Sequence, residues 1–313
     1  MKAVQIDQYG GPEVLRYRED VPEPELVKGN VLIEIHAATV NPVDWKIMSG
    51  GRQAQMPLKM PFVLGVDLSG VIREVGAEVE GLASGDEVWA VVNQDQPGGY
   101  QEVNSVDASV VSLKPKNVDH IQAAALALTG LTAMVAIDDT ANLKPGERIL
   151  IQGGAGGVGS FAIQAAKAMN AEVFATCSDK NIEYVKSLGA DHVIDYTKGD
   201  FRDSVSDVDV VFDTVGNASP GVHEASFDVL KSGGRLAWVA GQPNGFVAPR
   251  KDVEVLRPQV YRSAERMRRV AALVESGSVR PPEIEEIKLQ DIPEAHRRSM
   301  QHHIRGKLVI VMR

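Results

Sequence analysis

Ile149-Leu-Ile-Gln152, followed without a break by Gly153-Gly-Ala-Gly-Gly-Val-Gly159 and then by the helix-forming run Ser160 to Met169, is the stretch on which the fold turns. An apolar strand ends in a glycine-rich turn that holds G-x-G-x-x-G at Gly154, Gly156 and Gly159 and opens onto a helix. The first glycine permits a tight turn, the second lets backbone approach a pyrophosphate, and the third lets helix and strand pack closely. The helix N-terminus then faces the phosphates with N–H groups that have no partner inside the helix. Taken alone, the pattern also fits a merely tight strand-to-helix turn. Its setting favours dinucleotide binding by Gly154, Ala155, Gly156, Gly157, Val158 and Gly159.

That setting is an alternation of apolar strands, expected at 148–152, 173–176, 192–195, 208–213 and 235–240, with helices beginning near Val158, Lys180 and Val222. Alternation of this kind implies strand–helix–strand crossovers and a parallel, doubly wound sheet. After Gly241 the pattern loosens into a helix over 263–275, a strand over 284–289, a helix from Pro293 and a last strand over 307–311. Upstream, from Met1 to about Leu113, short β-rich runs such as Val31-Leu-Ile-Glu-Ile35 and Glu87-Val-Trp-Ala-Val-Val92 are parted by Gly, Pro and Asp clusters, which reads as an all-β unit. An alanine- and leucine-rich helix from about Ile121 to Ile137 marks the change of texture. At 313 residues the chain exceeds the size of one hydrophobic core, so two domains are expected. The β unit takes 1–123 and is completed by about 273–313; the dinucleotide-binding unit takes 124–272.

The formal net charge of -9 opposes the positive field that nucleic acid attracts, so nucleic acid is an unlikely partner. Arg262, Arg266, Arg268 and Arg269, near the start of the helix expected over 263–275, read as a solvated helix face. A lone Cys177 excludes an internal disulfide and a multi-cysteine zinc cluster and fits a reducing compartment, with cytoplasm the default. The start, Met1-Lys-Ala-Val-Gln-Ile-Asp7, lacks the apolar core of a signal peptide, and no run approaches the length of a membrane span, so no membrane association is expected.

Cofactor choice rests on the end of the strand after the glycine loop, where an acid about 20 residues on binds the ribose hydroxyls of NAD. Here the sequence reads Ala175-Thr-Cys-Ser178. Small polar groups, Ser178 among them, leave room for a 2′-phosphate that Lys180 would meet as a point charge, which favours NADPH. Asp179 lies near the acid's interval; its other reading is a helix cap, with Ser178.

Asn41-Pro-Val-Asp-Trp-Lys46, Pro61-Phe-Val-Leu-Gly-Val-Asp-Leu-Ser-Gly70, Gly85-Asp-Glu-Val88, Leu128-Thr-Gly-Leu-Thr-Ala133, the glycine loop and Gly306-Lys-Leu-Val309 together resemble the medium-chain dehydrogenase/reductase superfamily across nearly the whole chain. The likeness is greatest to its zinc-free quinone oxidoreductase and alkenal/enone reductase branch. The resemblance implies an α/β protein with a GroES-like all-β catalytic domain, a Rossmann NADP-binding domain and a homodimer. It also implies that Thr129 lies near the nicotinamide carboxamide and that Tyr196 flanks the adenosine phosphate; Val215 and Gly241 are expected to skirt the cofactor because ligands of open α/β sheets sit at the carboxyl ends of the strands. Zinc relatives carry a cysteine at the position of Asn41 and a histidine–glutamate pair at Val66-Asp67; Asn41, Asp44 and Asp67 make no zinc set, and a partial one from His36 and Asp67 is the weaker reading.

Without a metal to hold an alkoxide, the chemistry that suits a nicotinamide is reduction of a quinone or of the C=C of an α,β-unsaturated carbonyl. The resemblance makes Lys46 the carbonyl partner and Asn41 an orienting hydrogen bonder. The other reading of Lys46 is an exposed lysine at the start of a helix, and of Asp44 a cap for that helix. His302 and His303 read as a solvated pair on a polar helix. A reading from another class is a non-catalytic NADPH-binding regulatory or structural protein, as in the lens crystallins of this family.

Overall fold

Val31, Ile33 and Ile35 alternate along one strand with Leu32, Glu34 and His36, and period two sends the first set to one face, where each is at most 1% exposed. Opposite that strand the register shifts between Ile35 and Ala37, so the following residues, Ala37 to Asn41, are all buried. This bulge carries the chain from an apolar sheet face into a polar cluster described below. The computed structural model of the chain describes residues 1–216, 221–240 and 246–312.

Two compact units emerge: Met1–Leu128 with Arg262–Glu275 and Pro281–Arg313, and Thr129–Tyr261 with Ser276–Arg280. In chain order the first contributes β1 (Ala3–Ile6), β2 (Leu15–Arg18), β3 (Asn30–Thr39), α1 (Pro42–Met48), β4 (Phe62–Val63), β5 (Asp67–Val75), β6 (Glu87–Val91), β7 (Val103–Asp107), β8 (Val111–Leu113) and the start of α2 (His120–Met134). The second contributes β9 (Arg148–Gln152), α3 (Gly157–Ala168), β10 (Glu172–Cys177), α4 (Ile182–Ser187), β11 (His192–Asp195), β12 (Val208–Asp213), α5 (Val222–Val229), β13 (Leu230–Trp238) and β14 (Glu254–Leu256). The chain then returns to the first unit as α6 (Ala264–Glu275), β15 (Ile284–Lys288), α7 (Ile292–Met300) and β16 (Lys307–Val311).

In the first unit, β2-β1-β4 form a small sheet, and a larger one runs β15-β16-β3-β5-β6-β8 with β7 also paired to β3. β16 pairs antiparallel with the end of β3, Val309 opposite Thr39, which sets Lys307 beside the start of α1. In the second unit the sheet order is β11-β10-β9-β12-β13-β14, every pair parallel. Such strands are covered on both faces, and Ile149, Leu150 and Ile151 of β9 are 0% exposed. The chain moves outward from β9 through β10 to β11 and then crosses to β12 on the other side, so the turn after β9 sits at the switch point where such sheets bind ligands.

Three expectations need correction. Residues 263–272 were expected in the second unit, but Met267, Val270 and Val274 of α6 are buried as part of the first, where the helix packs on β8. The stretch after Gly241 was expected to be irregular, yet it yields β14 as a sixth strand. No membrane-length run was expected, whereas α2 continues as a π-helical stretch, and His120–Thr140 is long and apolar enough to cross a membrane; 78% of its most apolar window is buried in the fold, the environment of a core helix.

Candidate active site

In the second unit, Gly153 has φ +79, a conformation costly for a side-chain-bearing residue, and a Cβ there would meet Thr214 Oγ1 at 2.6 Å. The turn is pinned from both neighbouring strands. Gly153 N–H donates to Thr176 Oγ1 (3.2 Å) and Gly154 N–H to Thr176 O (2.9 Å), while Thr214 Oγ1 donates to Gln152 O (2.6 Å). α3 starts with Gly156 as its N-cap, and Ser160 N–H donates to Gly156 O at 2.8 Å, the first bond of the helix. Gly157, Val158 and Gly159 therefore present N–H groups with no acceptor inside the helix.

The two later glycines differ in what requires them. A Cβ at Gly159 would lie 2.2 Å from Gly153 O, so helix and turn touch there through backbone alone. A Cβ at Gly156 would meet nothing nearer than Gly153 O at 3.5 Å, an ordinary contact. Among the described residues nothing demands glycine at 156, which fits a cradle that leaves space for a pyrophosphate. Gly159→Ala is expected to destabilise the fold by about 1–3 kcal/mol through overpacking, seen as a lower Tm. Gly156→Ala should keep the wild-type Tm and weaken binding of a nicotinamide dinucleotide about tenfold in a fluorescence titration, about 1.4 kcal/mol; equal effects of the two on Tm would refute the distinction.

Ser178, Lys180 and Tyr196 all lie at the carboxyl ends of β10 and β11, which pair in parallel. Lys180 is exposed on the 3₁₀ turn Asp179–Asn181, and Tyr196 is 53% exposed. The Asp179 carboxylate accepts Lys180 N–H at 2.6 Å and so folds back on its own turn; Ser178 Oγ accepts from Asn181 Nδ2 at 3.1 Å. Thr129 is buried within α2. Val215 N–H and Gly216 N–H both donate to Asp213 Oδ1 (2.8 and 2.9 Å), while Asp213 Oδ2 faces His223 Nδ1 at 2.5 Å. Gly241 lies outside the described residues.

In the first unit, the end of β3, the start of α1, the start of β5 and the start of β16 converge on a buried polar cluster. Thr39 donates to Asp67 through N–H (3.1 Å) and Oγ1 (2.8 Å). The Asn41 carboxamide is engaged at both ends: Nδ2 donates to Thr39 O and Oγ1 (3.2 and 3.1 Å), and Oδ1 accepts from Lys307 Nζ at 2.6 Å. Lys307 Nζ also donates to Val40 O at 3.1 Å. Asp44 does cap the helix, taking Asn41 N–H (2.8 Å) on Oδ2, and it also takes Val66 N–H (3.1 Å) on Oδ1 and Tyr100 Oη (3.0 Å) on Oδ2.

Burial dominates the protonation of this cluster. It raises Asp44 from 3.8 to about 7, aided by the Asp67 charge and opposed by the hydrogen bonds Asp44 accepts. Burial likewise pushes Asp67 up and Lys307 down, each towards neutrality, and each is the nearest charge holding the other ionised. Lys46, also on α1, is half-buried with Nζ 5.4 Å from the Trp45 ring centre; burial, then the like charge of Arg52, lowers its pKa from 10.5.

Some placements differ from expectation. α7 ends at Met300, so His302 and His303 lie beyond the helix rather than on it; both are exposed, as expected of a solvated pair, and the His302 ring, at φ +59, also meets Trp45 edge-on at 5.8 Å. Lys46 is not an exposed lysine but half-buried. Arg262 precedes α6 and is half-buried as well. Thr176, Thr214 and Lys307 were missed as shaping residues; the signal available for the first two was a hydroxyl at the carboxyl end of a strand flanking the glycine turn.

The chain matches family models described as "Alcohol dehydrogenase GroES-like domain" over residues 27–116 and "Zinc-binding dehydrogenase" over residues 188–310. It is 39% identical to 2-methylene-furan-3-one reductase of Solanum lycopersicum and 38% identical to the chloroplastic NADPH-dependent alkenal/one oxidoreductase of Arabidopsis thaliana, each match covering 90% of this chain and 71% of the relative. Among solved structures, the quinone oxidoreductase from Coxiella burnetii superposes with a TM-score of 0.90 at 34% identity, over 100% of this chain and 99% of that one. Zinc does not fit the residues at the position a zinc site would take: the Asn41 oxygen already accepts from a buried ammonium, and among the described residues no group of three or more His, Cys, Asp or Glu side chains could hold a metal. A nicotinamide cofactor does fit the glycine cradle with its switch-point turn. Fold, cradle and relatives agree that the chain is an oxidoreductase of the medium-chain dehydrogenase/reductase superfamily, in its zinc-free quinone oxidoreductase branch.

Proposed function

We propose that the protein is an NADPH-dependent reductase of quinones or of the activated C=C of α,β-unsaturated carbonyls. The observation that carries the reading is Lys46: a half-buried ammonium that holds its proton less tightly than an ordinary lysine. Such a group is a strong hydrogen-bond donor to a carbonyl oxygen that becomes an enolate. A nicotinamide held by the glycine cradle would supply the hydride that the β-carbon of the acceptor takes up. Lys46 stabilises the oxyanion, and a proton added at the α-carbon completes the saturated carbonyl. Asn41 acts by holding the α1 start in place, its carboxamide fixed by Thr39 and Lys307.

NADPH is favoured over NADH by the exposed Lys180 beside Ser178 and Tyr196, and by Asp179 being turned onto its own backbone. Lys180→Ala is expected to raise the KM for NADPH several-fold with little change for NADH; equal effects would remove Lys180 from the phosphate site. Thr129 is assigned to the nicotinamide carboxamide by resemblance, and Val215 and Gly241 to the edge of the cofactor by their places at strand carboxyl ends. A homodimer, expected on the same ground, would give twice the monomer mass by light scattering.

The test is NADPH oxidation, with NADH in parallel, against an alkenal, an enone, a quinone and a simple aldehyde. Turnover of the alkenes or the quinone with NADPH preferred supports the reading. Activity on the aldehyde alone overturns the reaction class, and tight NADPH binding without turnover of any acceptor makes the chain a binding protein.

A further inference from the structure

On the face of the second unit's sheet that meets Phe227 of α5, Leu150, Val211 and Leu236 form one apolar row across β9, β12 and β13, each 0% exposed. Two residues on, at the carboxyl ends of the same strands, the row is Gln152, Asp213 and Trp238. Period two keeps it on the same face, and it is still buried, but it is polar. α5 meets this row with two side chains one turn apart. Ser226 Oγ accepts from Gln152 Nε2 at 3.2 Å, His223 Nδ1 lies 2.5 Å from Asp213 Oδ2, and the His223 ring packs on Trp238 with centres 4.6 Å apart. Gln152 Oε1 and Trp238 Nε1 have no hydrogen-bond partner among the described residues. Burying such a row costs more than continuing the apolar one would. It stands at the strand ends where open parallel sheets bind ligands.

We propose that His223 is a positioning residue for the nicotinamide cofactor: through Asp213 it fixes the turn at 214–216 against the glycine cradle. The two carboxylate oxygens of Asp213 act differently. Oδ1 accepts Val215 N–H and Gly216 N–H and so folds the turn after β12, while Oδ2 is held by His223. That turn leans on the cradle. A Cβ on Gly153 would lie 2.6 Å from Thr214 Oγ1 and 2.9 Å from Val215 Cγ1, and Thr214 Oγ1 donates to Gln152 O at 2.6 Å. A carboxylate that loses its second anchor can rotate away from the two N–H groups, and the turn then shifts against Gly153. The inference rests on the reading that this cradle holds a nicotinamide cofactor. His223 acts through the turns after β9 and β12, not through Ser178 or Lys180 at the end of β10, so NADPH and NADH depend on it alike.

The experiment titrates NADPH and NADH, by fluorescence, into the wild-type protein, His223→Phe and His223→Gln, and follows KM for NADPH and kcat with an enone. His223→Phe keeps a ring against Trp238 and loses the contact with Asp213. It should weaken both nucleotides about tenfold and raise the KM for NADPH more than it lowers kcat. His223→Gln, whose amide can donate to Asp213 Oδ2, should recover most of the affinity. Wild-type Kd values for both nucleotides in folded His223→Phe, whatever its Tm, overturn the proposal and leave His223 a packing residue. A loss confined to NADPH overturns it too, because it points to the 2′-phosphate end. If His223→Phe does not fold, the double variant with Asp213→Asn removes the unpaired buried charge and takes its place: weakened binding of both nucleotides supports the proposal, and wild-type affinity refutes it. Where the enone is not turned over, the Kd values decide alone. A wild-type protein that binds neither nucleotide defeats the cofactor reading itself, and the inference with it.

Discussion

Lys307→Met is expected to destabilise the protein by about 3–5 kcal/mol, the loss typical of removing one partner from a buried charge pair. The substitution keeps an unbranched side chain, so little of the effect is cavity formation. What it removes is the donor to Asn41 Oδ1 and Val40 O and the charge that opposes deprotonation cost at Asp67. Asp67 is 0% exposed and would keep hydrogen bonds from Thr39 but lose the cation that now opposes its burial penalty. Its pKa, already raised by burial, would rise further. A carboxyl whose folded pKa exceeds the unfolded one, ordinarily about 3.9, favours the folded state more as pH falls. The destabilisation should therefore be largest at pH 8 and shrink towards pH 5. Urea unfolding followed by Trp45 and Trp89 at the two pH values measures this. Adding Asp67→Asn should recover part of the loss, because the uncompensated charge is then gone. An effect below 1 kcal/mol at both pH values would mean that Lys307 is neutral in the folded protein.

Lys307 also marks where reading the sequence stops. Gly306-Lys-Leu-Val309 can be noticed as a motif, but its partner Asn41 lies 266 residues away, and only the pairing of Val309 with Thr39 brings them together. The glycine loop is the opposite case: strand, turn and helix are contiguous, Gly153 and Gly159 answer local steric demands, and the strands at 148–152, 192–195 and 208–213 fall where the apolar runs do. α6 was legible as a helix from its apolar spacing, while the sheet it covers was not, since Met267, Val270 and Val274 would bury equally well against either unit's strands. β14 was invisible for a related reason. Three residues beginning with Glu254 carry no alternation to detect, and the segment is a strand because β13 offers an open parallel edge. At the site, the type and place of Lys46 could be read from its motif, but its partial burial and the like charge of Arg52 that bears on it are products of the folded structure.

Lys46→Ala is expected to lower kcat for an enone by about 10²–10³-fold, the loss seen when one donor to a developing oxyanion is removed. The KM for NADPH should change little, since the residues proposed to cradle the cofactor are in the glycine loop and at the ends of β10 and β11. Two controls separate chemistry from packing. Lys46→Met keeps the contact with the Trp45 ring and should be as slow as Lys46→Ala, whereas Lys46→Arg keeps a cation and should retain part of the rate. The pH profile supplies the sign. Lys46 acts as its protonated form, burial and Arg52 lower its pKa below 10.5, and so kcat should fall as pH rises through that lowered value. In Lys46→Arg the alkaline limb should move upward, because a guanidinium stays charged there. Neutralising Arg52 acts on the same limb: with the like charge gone, Arg52→Gln should shift it upward too. Wild-type rates in Lys46→Ala towards every alkenal, enone and quinone would remove Lys46 from the chemistry and leave the oxyanion to another donor.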